Sequence, residues 1–135
     1  MNISCFFSSF IFLTNVINNF FKNEVTYSII FFFLFITSIM VHHSNTFYSN
    51  LFDKISIIMV VCYGGFVYYK KMMNVTEINW IHYVPLLCFY LTIYLYLYGY
   101  LTDSYCFVND CGLANTYHSL LHIVSSVGHH AIVMI

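Results

Sequence analysis

The chain has no arginine and only four lysines, and charged residues of both signs make up 7% of its 135 positions. A soluble domain carries about 25% charged residues, so this sequence has too little charge to cover a surface that faces water. Nothing in so sparse a basic complement, with a net charge of −1, points to a nucleic-acid partner. Proline occurs once, at Pro85, and tryptophan once, at Trp80. No internal period of self-similarity stands out, which speaks against a repeat architecture. What fills the chain instead is apolar: 61% of residues are hydrophobic, 21% are aromatic, and the mean hydropathy is +0.79. The composition is that of an integral membrane protein.

The five cysteines contain no CxxC pair, so no zinc-knuckle or thioredoxin-like motif is present. Cys62 and Cys88 fall inside apolar runs and read as small core residues. Cys106 and Cys111 bracket "CFVNDC" in a loop, and form a disulfide if that loop faces an oxidising compartment.

A spanning helix needs about 20 apolar residues. Five segments meet this: 4–21, 26–43, 54–69, 82–101 and 115–135. The first is interrupted by Asn15, Asn18 and Asn19. It lacks the basic start and small-residue cleavage site of a signal peptide, so it is expected to be retained. Pro85 lies in the first turn of the fourth, where proline is tolerated. The predicted fold is an all-α, polytopic membrane helix bundle of about five transmembrane helices, forming a single domain over 1–135.

The lysines orient it. Lys22, Lys70 and Lys71 fall on the side of the first and third loops, and Lys54 alone borders the other. The positive-inside rule makes the first side cytoplasmic. The glycosylation sequon "NVT" at Asn74 is then cytoplasmic and expected to stay unmodified.

Polar groups in hydrocarbon are costly and mark function by default. Helix alternation brings five of them to the opposite, non-cytoplasmic end. Ser38 and His42 are four residues apart on the second span, Asp53 opens the third, and His118 and His122 are four apart at the start of the fifth. Residues four apart share a helix face. Three imidazoles with an open position for water make the zinc arrangement of a hydrolytic site. Asp53 is placed as general base or orienter, and Ser38 as support for the water or a developing oxyanion. Plainer roles exist for each: His42 at headgroup level beside His43, Asp53 as a helix N-cap, and Ser38 bonded to its own i−4 carbonyl.

"SIMVH" (Ser38 to His42), then Asp53, then "HSLLH" (His118 to His122) in the last helix resembles the signature of the CREST superfamily, which includes the alkaline ceramidases and the adiponectin and progestin receptors. The resemblance is clearest over 34–65 and 115–130. It implies that His42, His118 and His122 bind zinc, and that the protein is a membrane hydrolase of a lipid amide or ester, ceramidase-like, in an endomembrane. That family has seven helices against the five read here. On that resemblance the chain is expected to be a shortened relative, lacking two helices between the Asp helix and the last one.

His129 and His130 lie outside the signature. His129 is roughly 16 Å deeper along the helix than His118, and the pair is expected at the cytoplasmic interface. Gly128, Ser125 and Ser126 suit close helix packing. Two other functions fit the same composition: a bis-His haem protein, with His42 or His43 and His118 or His122 as axial ligands, and a structural or accessory subunit of a membrane complex. A homo-oligomer is also compatible with the sequence.

Overall fold

The structure is a computed structural model and describes residues 3–135. Among these residues it is helical throughout, without strands: α1 (Ile3–Ser8), α2 (Ile11–Phe21), α3 (Val25–His43), α4 (Phe47–Met72), α5 (Val84–Ile93), α6 (Gly99–Thr102) and α7 (Cys111–Met134). A 3₁₀ turn, Trp80–Tyr83, leads into α5, and a π-helical turn, Tyr94–Tyr98, joins α5 to α6. Four helical stretches are long and apolar enough to cross a membrane: Ile3–Phe21, Val25–His43, Phe47–Met72 and Trp80–Thr102. α7 has 24 residues and is more polar. At 1.5 Å per residue it is about 36 Å long, enough to match them.

The sequence of α3, "VTYSIIFFFLFITSIMVHH", is rich in β-branched and aromatic residues that are poor helix formers in water. In lipid the backbone must satisfy its own hydrogen bonds, and helix is the form open to a single segment. The distribution of side chains follows the same logic. Large apolar residues face outward, Phe21, Phe33 and Leu101 among them, while Ser9, Asn15, Asn19, Ser38, Asp53, His122 and Ser126 are buried. Polar inside and apolar outside is the arrangement of a helical membrane protein.

Short turns fix the helix order. Asn23 adopts a left-handed conformation (φ 60°) after α2, and the Glu24 N–H returns to the Asn19 carbonyl at 2.9 Å. Asparagine is one of the few non-glycine residues that enter this region readily. At the other end, Thr46 caps α4. Its Oγ1 accepts from the Ser49 N–H at 3.2 Å, and Ser49 Oγ accepts from the Thr46 N–H at 2.9 Å. This reciprocal cap starts the helix at Phe47, seven residues before the expected 54. Asp110 caps α7 by accepting from the Leu113 N–H at 3.0 Å.

A core of Phe12, Tyr27, Phe31, Leu34, Val60 and Ile132 joins α2, α3, α4 and α7. Two of the asparagines that interrupt the first span, Asn15 and Asn18, tie it to α7. Asn15 Nδ2 donates to the Ser126 carbonyl at 3.1 Å, and Ser126 Oγ donates to Asn15 Oδ1. The terminal histidines are tied in as well. His130 bonds Thr14 and Asn18, each at 2.9 Å, and His129 Nδ1 bonds the Tyr27 hydroxyl. Side-chain partners on α2 and α3 thus hold both rings against neighbouring helices.

Candidate metal centre

The site forms where α3 ends and α4 and α7 begin. His42 is in the last turn of α3, with His43 exposed beside it. The α4 cap places Asp53 two turns inside that helix, so Asp53 is not an N-cap; Thr46 has that role. Four-residue spacing puts His118 and His122 on one face of α7.

The three predicted imidazoles meet. Ring centroids of His42 and His118 are 5.1 Å apart, those of His42 and His122 5.3 Å, and those of His118 and His122 4.9 Å. An imidazole bonded to zinc at 2.0–2.1 Å has its centroid about 3 Å from the metal, so two such rings at a tetrahedral angle stand roughly 5 Å apart. All three centroid separations are close to that figure, but the group whose donor atoms converge includes His42 and His118 and leaves out His122.

α1, which the site assignment from sequence omits, completes the wall. The helix breaks at Ser9 and Phe10 between α1 and α2. There the Ser8 and Ser9 hydroxyls donate to the Cys5 carbonyl at 3.0 and 2.8 Å. Serine back-bonding of this kind loosens and bends helices. Ser8 Oγ lies 2.8 Å from His122 Nδ1. The direction of this bond follows the imidazole tautomer; with Nδ1 as the donor, the His122 Nε2 lone pair is the one open to a ligand. Such an outer hydrogen bond, which sets the tautomer, is what metal-ligating histidines ordinarily have.

Ser9 Oγ and Ser38 Oγ share a hydrogen bond of 2.8 Å in which either hydroxyl can donate, and Ser38 is 2% exposed. Ser38 does not bond its own i−4 carbonyl. The donor atoms of Cys5, His42 and His118 all lie within 4.8 Å of one another. Sequence reasoning missed Cys5, Ser8 and Ser9. The available signal was their i, i+3 and i+4 spacing within an apolar segment.

Two cavities adjoin the histidines. One, about 240 Å³, is lined by Ser38, Asp53, His118 and His122 together with apolar residues of α2, α4 and the α5 span, including Phe12 and Phe89. The other, about 490 Å³, is polar and lined by His42, Asn45, Asn50, Asp53 and His118, with Lys54 and Cys106. Asp53 and His118 stand in both walls. Lys54 is held with Nζ 4.8 Å from the centre of the Tyr96 ring, within cation–π range.

Cys106 and Cys111 are separate thiols. Cys111 is the exposed first residue of α7, whereas Cys106 turns into the polar cavity. Burial, with Cys5 nearby, pushes the Cys106 thiol up to about 11, so it is protonated at neutral pH and slow to exchange.

No family model matches the chain, and no match is found among curated proteins or solved structures. The fold and the site geometry thus define a helical protein with four helices long and apolar enough to cross a membrane and a Cys5–His42–His118 group that could hold a metal ion.

Proposed function

We propose that the protein is a zinc-dependent membrane hydrolase of a lipid amide or ester, a shortened relative of the CREST hydrolases it resembles. The observation that carries this reading is the triangle of His42, His118 and His122 rings at 4.9–5.3 Å. Zinc bound there supplies Lewis acidity. Asp53, 8% exposed and at the edge of both cavities, takes the proton of the attacking water. Ser38 orients that water by accepting from it.

An apolar cavity opening beside a polar one suits an amphiphile, with acyl chain against Phe12 and Phe89 and headgroup toward Asn45 and Asn50. The chain is read as multi-pass, with the site at the non-cytoplasmic end of an endomembrane. The haem reading draws less support: rings centred about 5 Å apart leave no slot for a macrocycle between them.

The test is hydrolysis of a panel of ceramides, lysolipids and glycerolipids by detergent-purified protein. Asp53→Asn keeps the shape and hydrogen-bonding capacity but cannot accept the proton. It is expected to retain zinc and lose turnover by about 10²–10⁴-fold. Unchanged turnover in the variant would contradict the assignment of Asp53. Wild-type protein that holds zinc and turns over none of the panel would move the function to a receptor-like or structural membrane protein.

A further inference from the structure

We propose that Cys5 is itself a ligand of the metal at the histidine cluster, so that in this conformation a sulfur of the chain takes the place a hydrolytic water needs. The inference rests on the zinc reading above and deepens it. Three observations carry it. Cys5 forms, with His42 and His118, a group whose donor atoms all lie within 4.8 Å of one another, and it is 0% exposed.

Its sulfur is also held against the helix that supplies two of the histidines: Sγ is 3.5 Å from the Asn115 carbonyl oxygen and 3.8 Å from Ser119 Oγ, both on α7. Finally, its backbone is held from the site side, since Ser8 and Ser9 both donate to the Cys5 carbonyl while bonding His122 and Ser38. Cys5 is thus linked to the predicted site through both its sulfur and its carbonyl.

Zinc takes mixed sulfur and imidazole ligands readily. Cys5, His42 and His118 are the three whose donor atoms converge, and with the neighbouring His122 ring they would make a closed, four-coordinate set, whereas a hydrolytic site keeps one position open. With Cys5 in place the site is in a resting form, and hydrolysis requires the sulfur to leave.

Cobalt(II) absorption of the full-length protein in detergent tests this without reference to activity. Tetrahedral cobalt gives visible bands with either nitrogen or sulfur ligands, but an intense near-ultraviolet charge-transfer band only with thiolate. Wild-type protein is expected to show both. Cys5→Ser should lose the near-ultraviolet band and keep the visible ones, and Cys106→Ser should keep both. Visible bands without a near-ultraviolet band in the wild type would overturn the Cys5 ligand and leave the histidine site standing. Survival of the charge-transfer band in Cys5→Ser would assign the sulfur to another residue and overturn it too. Absence of any tetrahedral cobalt spectrum in the wild type would remove the histidine site and this inference together. The wild-type spectrum is decisive even if Cys5→Ser does not fold.

Discussion

The buried asparagines of α2 show how different the same residue type is in different company. Asn15 spends both ends of its amide on Ser126, whereas Asn19, equally buried, has no hydrogen-bond partner for either end among the described residues. An unpaired polar group costs its full desolvation, and replacing it with an apolar group of similar size is neutral or stabilising. Asn19→Leu should therefore leave stability unchanged or raise it by about 1 kcal/mol. Asn15→Leu strands Ser126 and should lower stability by about 1–2 kcal/mol. Thermal unfolding in one detergent, followed by circular dichroism, distinguishes them; equal losses in both variants would contradict the assignment.

At this scale the sequence was only partly legible. Ser38, Asp53 and the three histidines could be grouped from spacing and helix direction alone. The partners of Asn15, His129 and His130 could not, because they depend on the rotation of each helix about its own axis. Hydropathy does not report that angle when a helix such as α3 is apolar on nearly every face.

Among the elements, two glycines set how closely helices approach. A Cβ built at Gly128 of α7 would lie 2.7 Å from Cys88 Cβ of α5, and one at Gly64 of α4 would lie 2.5 Å from the Tyr27 hydroxyl and 2.9 Å from His129 Cε1. At Gly65 a Cβ meets nothing within 4 Å. Gly128→Ala and Gly64→Ala are each expected to cost about 1–3 kcal/mol by overpacking, with Gly65→Ala near neutral; the same melting measurement checks the series.

Lys71 closes the opposite end by donating to the Val133 carbonyl of α7 at 3.1 Å, a favourable place for a cation near a helix C-terminus. The class and order of the long helices were readable from length and hydropathy, although hydropathy singles out only four of the five, leaving out the more polar α7. Their starts were less so. The Thr46–Ser49 cap carries α4 seven residues beyond its apolar run, out to Phe47. The break in the first span follows from paired serines, which composition alone does not flag.

For the molecule as a whole, two claims remain to be tested. The lysine distribution puts the Asn74 sequon on the cytoplasmic side, although its side chain is exposed and chemically able to be modified. Protein made in a secretory-pathway host should therefore carry no glycan at Asn74, and a mass shift removed by an endoglycosidase would invert the topology. The central claim is that the non-cytoplasmic end of the bundle holds one metal ion. It is tested most directly by elemental analysis of detergent-purified protein, comparing wild type with His118→Ala and His130→Ala. The account predicts about one zinc per chain in the wild type. His118→Ala should lose it, and His130→Ala should keep it, because His130 bonds Thr14 and Asn18 away from the cluster. Zinc at the same level in both variants, or absent from the wild type, would contradict it.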